Sequence, residues 1–165
     1  MEEPGAWRRI FGSGPLGTLV SVALLAAAMV IQARTDLPSL GLPMGIRIAV
    51  LAVGLLATVA LVAWSVRSLP VDARGRTLCT EGPFALMRHP LYAAFLLFLC
   101  PALAVFLDEW IFLLWAALLF PLWHLVVASE ERLMAERFGP EWDRYAARTG
   151  RFFPRLVQHA GRRRT

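Results

Sequence analysis

The stretch "MRHPLYAAFLLFLCPALAVFL", residues 87–107, decides the fold. Behind Arg88 and His89 stand seventeen residues, 91–107, that carry no charge. At a rise of ~1.5 Å per residue such a segment covers about 25 Å, close to the apolar thickness of a bilayer. Pro90 suits the first turn of a helix, where its missing N–H is no loss. The spacing therefore predicts a membrane-spanning helix with Arg88 and His89 held just outside it.

Three more blocks of similar length lie at 16–32, 48–66 and 110–127. Only helices satisfy their own backbone groups in lipid, so the prediction is an all-α, polytopic membrane protein with four transmembrane helices. Composition agrees: 58% of the 165 residues are hydrophobic, and the mean hydropathy is +0.57. All 17 basic residues are arginine, against 12 acidic ones, a net charge of +5. A nucleic-acid partner is not expected, because the arginines lie between apolar blocks rather than among aromatics on a polar surface. The two cysteines, Cys79 and Cys100, are too far apart for a metal-ligand pair, and no metal is expected.

Arginine placement sets the expected orientation. Arg8, Arg9, the four arginines of the 67–90 connection and the nine after residue 127 fall on one side; Arg34 and Arg47 fall on the other. The positive-inside rule puts both termini in the cytoplasm of a bacterial-type inner membrane. The acidic pair Asp108-Glu109 would turn outside.

"GSGPLG", residues 12–17, matches the dinucleotide pattern GxGxxG, with Asp36 near the ribose-acid position. The pattern runs into a membrane span rather than a strand–helix unit, so this reading is set aside. After the last span the pattern stays helical through "SEERLMAERFG" to a stop at Gly139. Pro140 then opens a short helix, giving a cytoplasmic C-terminal helical extension. Arg144, Arg148 and Arg151 are spaced to share a face there, most simply against lipid headgroups. Small residues in the first two spans suit intrahelical packing and a homodimer alike.

The titratable groups gather in sequence around one membrane face: Arg88 and His89 before the third span, Glu130 and Glu131 after the fourth, then Arg144, Tyr145 and Arg151. Such a set offers carboxylates to a cation and Arg/His donors to an anion.

"EGPFALMRHPLY" with "SEERLMAERFGPEWDRYAARTGRFFP" resembles the isoprenylcysteine carboxyl methyltransferases and the related membrane phospholipid methyltransferases. The resemblance covers about residues 77–154. It departs at Trp142, where tyrosine is usual, and at Ala93-Ala94, where glycine often follows the tyrosine. It implies an N-terminal part (1–66) of two spans and a methyltransferase-like core (67–165). It further implies S-adenosylmethionine as cofactor, held by Arg88, His89, Tyr92, Glu130, Arg144 and Tyr145. Arg151 would orient an acceptor carboxylate. Glu131 would be structural, or would take a proton, as His89 also could, from an acceptor amine. The acceptor would be a lipophilic small molecule or prenylated group entering from the bilayer, with O-methylation favoured over N-methylation. Two other readings stand beside it: an NADPH-dependent membrane reductase like the sterol reductases, and a non-enzymatic membrane protein that binds a lipid or cofactor.

Overall fold

The computed structural model describes residues 14–35, 37–69 and 77–155. Arg8, Arg9, Asp36, Arg74, Arg76 and the basic tail of the orientation reading lie outside the described residues.

Four helices are long and apolar enough to cross a membrane: α1 (Gly14–Arg34), α2 (Met44–Ser68), α3 (Pro90–Leu107) and α4 (Trp110–Phe138). A fifth, α5 (Pro140–Arg148), comes directly after Gly139. No strand forms among the described residues. Each expected span is present, and α4 continues unbroken through Pro121 and well past residue 127, as the sequence pattern predicts. Large apolar side chains such as Leu56 and Leu125 point outward, 71% and 75% exposed. That outward surface is what lipid solvates, and the chain is an integral membrane protein.

In such a bundle, packing and internal hydrogen bonds replace the hydrophobic drive of a soluble core. Helix α1 packs on α4, and α2 on α3. Gly14 and Gly17, the two described glycines of the GxGxxG match, serve this packing. A Cβ at Gly14 would come within 2.9 Å of the Tyr92 hydroxyl, and one at Gly17 within 3.1 Å of Trp123. Ser21 on α1 then satisfies two indole N–H groups of α4. Trp115 Nε1 donates to its carbonyl and Trp123 Nε1 to its hydroxyl, both at 3.0 Å.

One local feature of α3 departs from the uniform helix predicted at 91–107. Residues Phe95–Leu99 form a π-helical turn, closed by the Cys100 N–H donating to the Phe95 carbonyl five residues back. The cause is Pro101: it has no N–H to donate, and its ring crowds the carbonyl of Leu97. The Thr58 hydroxyl of α2 reaches across to the Ala94 carbonyl at 3.2 Å, just before this turn.

At the end of the bundle opposite Arg88, Asp108 ties the connections together from a left-handed backbone conformation (φ 65°). Its Oδ1 accepts the Leu42 N–H at 3.0 Å, and its Oδ2 lies 3.6 Å from Arg47 Nη1. Arg47 also donates through Nε to the Phe106 carbonyl at 2.8 Å.

Gly54 sets the closest approach of α2 to α3, since an added Cβ would lie 2.4 Å from Ala102 Cβ and 2.9 Å from the Phe98 carbonyl oxygen. Gly54→Leu should therefore cost about 1–3 kcal/mol through overpacking. Gly45→Ala, where nothing lies within 4 Å, should leave the unfolding midpoint in detergent nearly unchanged. Equal loss in both variants would contradict this packing.

Candidate functional site

Glu131 is the centre of the charged cluster. Helix α4 has 29 residues, about 43 Å at ~1.5 Å per residue, which exceeds the roughly 30 Å apolar core. Its apolar part ends near residue 127, so Glu131 emerges one turn beyond the membrane. Its side chain is 13% exposed, and a carboxylate so buried needs partners.

The partners come from three directions. Arg88, just before α3, donates through Nε to Glu131 Oε1 at 2.8 Å. Arg151, just after α5, donates through Nε to Oε2 at 2.8 Å, and its Nη2 lies 2.8 Å from the same oxygen. His89 Nε2 is 3.3 Å from Oε1. Burial alone raises the Glu131 carboxyl, but hydrogen bonds from His89, Arg88 and Arg151 outweigh it and bring it down to about 2.

Backbone pairing fixes these side chains. Pro90 opens α3 with His89 at its N-cap, so residues 87–89 stay outside the helix. There the N–H groups of Arg88 and His89 donate to the carbonyls of Gly150 and Arg151 at 2.8 and 3.0 Å. The Arg88 guanidinium also reaches the Ala146 carbonyl (3.0 Å) and the Thr149 carbonyl. Carbonyls at a helix C-terminus lack intrahelical donors, and the helix dipole favours a cation there.

Glu130 belongs to the same cluster from the other side. Its Oε1 accepts the Tyr92 hydroxyl at 3.0 Å, and His89 Nδ1 stands 3.9 Å from its Oε2. Tyr92 stacks on His89 at 5.8 Å and packs on Trp123 at 4.6 Å. Beneath Tyr92, between α1, α3 and α4, lies a largely apolar cavity of about 300 Å³, lined by Leu25, Phe95, Cys100, Trp115 and Leu119 among others.

The structure thus brings six of the sequence-expected residues together: Arg88, His89, Tyr92, Glu130, Glu131 and Arg151. Arg144 and Tyr145 stand apart. They line a second cleft, of about 440 Å³, with Thr80, Glu141, Arg148 and Thr149. Tyr145 donates its hydroxyl to the Phe84 carbonyl at 2.8 Å, and burial pushes its phenol up to about 12. Trp142 is buried edge-on against Tyr145, and Ala93 and Ala94 are fully buried. His124 lies among Phe120 and Phe152.

The sequence reading missed Trp123 and Phe152, the two aromatics that flank Tyr92 and His89. Trp123 shares the α4 face of Val127, Glu130 and Glu131, so helical spacing could have found it. Phe152 sits in irregular chain and left no such signal. Among the described residues, no group of three His, Cys, Asp or Glu is placed to hold a metal ion.

No family model matches the chain. The chain is 39% identical to the cobalt-zinc-cadmium resistance protein CzcN of Cupriavidus metallidurans, over 53% of its own length and 40% of the relative's. It is 38% identical to the nickel-cobalt-cadmium resistance protein NccN of Alcaligenes xylosoxydans xylosoxydans, over 66% of its own length and 51% of the relative's. The chain therefore spans about half, or less, of the length of the relatives it matches.

These similarities correct the resemblance drawn from the motifs. Both relatives are named for metal resistance, not as isoprenylcysteine or phospholipid methyltransferases. The S-adenosylmethionine-dependent methyltransferase reading, its methyl acceptor and the reductase alternative are withdrawn with it. The physical reason is that the motif residues have a structural task of their own. The Arg-His-Pro stretch, the Glu-Glu pair and the closing arginine form the ion-pair joint that locks α3, α4 and the segment after α5 together.

Removing the Glu131 carboxylate leaves two guanidiniums without their counter-ion. Glu131→Ala should cost about 3 kcal/mol of stability. The folded carboxyl titrates near 2, below its ordinary value of 4.5. Its contribution is therefore full above about pH 4.5 and disappears as pH falls toward 2. Unfolding midpoints in detergent should show wild type and Glu131→Gln far apart near neutral pH and converging in acid. A gap that does not change with pH would contradict the assigned ion pairs.

Proposed function

We propose that this chain is a membrane component of a divalent-metal resistance system, contributing to tolerance of cobalt, zinc, cadmium or nickel. The single observation that carries the reading is the similarity to two proteins named for resistance to those metals. A match over about two thirds of a chain takes in its middle third wherever it begins. Arg88, His89 and Tyr92, the arms of the charged cluster, stand in that third.

The cluster supports a role beside the metal's path rather than as the ion's own ligand shell. Glu131, the most buried acid there, is engaged by two guanidiniums, and a cation would have to displace both. The arginine-rich end, with Arg88, Arg132, Arg137, Arg144, Arg148 and Arg151, faces the cytoplasm in this reading, and Arg34 and Arg47 the opposite side. The cavity beneath Tyr92 is suited to an apolar chain from the bilayer. S-adenosylmethionine becomes a question of ligand binding alone: Glu130 and His89 are the groups a small zwitterion would meet, and calorimetric titration of His89→Ala and Glu130→Gln tests it.

Deleting the gene in its own host should lower the inhibitory concentration of at least one of the four metals by about twofold or more. The wild-type chain should restore tolerance, and Glu130→Gln or Arg88→Gln should restore it only in part. Unchanged growth on all four metals would overturn the proposal.

A further inference from the structure

The three arginines expected to form one stripe do not. Arg151 is turned inward to Glu131, while Arg144 and Arg148 stay on the exposed face of α5, one turn apart. Neither has an ion-pair or hydrogen-bond partner among the described residues. Like charges four residues apart on a helix repel by a few tenths of a kcal/mol unless an anion sits between them. They line the cleft of about 440 Å³ that α5 forms against the 3-10 turn Gly82–Ala85. Thr80 adds a hydroxyl to that lining, and Glu141 is its one acid.

The depth of this cleft is fixed by the backbone. Thr149, on its wall, is followed by Gly150, whose carbonyl accepts the backbone N–H of Arg88 at 2.8 Å, two residues before Pro90 begins α3. The cleft therefore lies at the level where α3 enters the bilayer. Leu86, next to the 3-10 turn, and Phe153 beyond α5 are 43% and 52% exposed, as side chains that dip into an interface would be. Guanidiniums in pairs are the side chains best suited to phosphate oxygens.

We propose that the cleft between α5 and the 3-10 turn binds an anionic phosphate group, held by the guanidiniums of Arg144 and Arg148 and the hydroxyl of Thr80. Two sources share this chemistry: the headgroup of an anionic phospholipid, which the depth of the cleft favours, and a free phosphate. The site is separate from the Glu131 cluster, and its test reads binding alone, so it stands or falls apart from the metal-resistance reading.

The experiment is thermal unfolding of the full chain in mixed micelles. Three conditions are compared: phosphatidylcholine, phosphatidylglycerol, and phosphatidylcholine with inorganic phosphate. Near saturation, phosphatidylglycerol should raise the wild-type midpoint by about 5 °C. The double variant Arg144→Gln/Arg148→Gln should lose most of that shift, and Thr80→Val part of it. A control with the same change of charge, Arg132→Gln/Arg137→Gln, should keep it, both residues being exposed on α4. A shift with inorganic phosphate alone would assign the site to a soluble phosphate. No shift in wild type under either anion overturns the proposal. So does a full shift in the Arg144/Arg148 variant, or an equal loss in the control.

Discussion

A carboxylate at the point where a helix leaves the bilayer must find counter-charges within a few ångströms or else be solvated, and Glu131 is almost shielded from water. Two arginines of that end answer the constraint. The two guanidiniums that meet it come from either side in sequence: Arg88 before α3 and Arg151 after α5. For Arg151 to reach it, the chain beyond α4 must turn back at Gly139 and run along the membrane end. The backbone pairs between residues 88–89 and 150–151 hold that return in place. One acid thus determines how three separate segments meet.

Inside the bundle the same rule operates on weaker polar groups. The indole N–H groups of Trp115 and Trp123 have no water to turn to, and both find Ser21. Pro101 takes an N–H from α3, and the helix widens into a π turn instead of breaking. Glycines then set distance: Gly54 allows α2 to touch α3, and Gly14 and Gly17 allow α1 to touch Tyr92 and Trp123. A nucleotide-binding pattern in the sequence is, in the fold, a helix-packing surface.

The charged motifs teach a related lesson about resemblance. Arg-His-Pro followed by a tyrosine, with a Glu-Glu pair one span later, can read as a cofactor pocket because those residues do converge. Convergence by itself does not separate a pocket from an ion-pair joint. Here Glu131 is bound on both oxygens by arginine, and the similar proteins are named for metal resistance. The residues, and a structural part for Glu131, were legible in the sequence, whereas the methyltransferase function drawn from them is overturned.

Four spans, the long projection of α4, its stop at Gly139 and the start of α5 at Pro140 were fixed by local chemistry, namely uncharged length, glycine and proline. Those features act over one helix turn or one membrane thickness, and a linear reading captures them. Which arginine would turn inward was not of that kind. Arg144, Arg148 and Arg151, four and three residues apart, could share one helix face, yet only Arg151 meets Glu131. That choice depends on where α5 ends, and so on the carbonyls that Arg88 caps. The π turn's partner on α2, the burial of Phe152 and the cleft beside Arg144 likewise came only with the tertiary structure. Each depends on the distance between segments that the sequence keeps far apart.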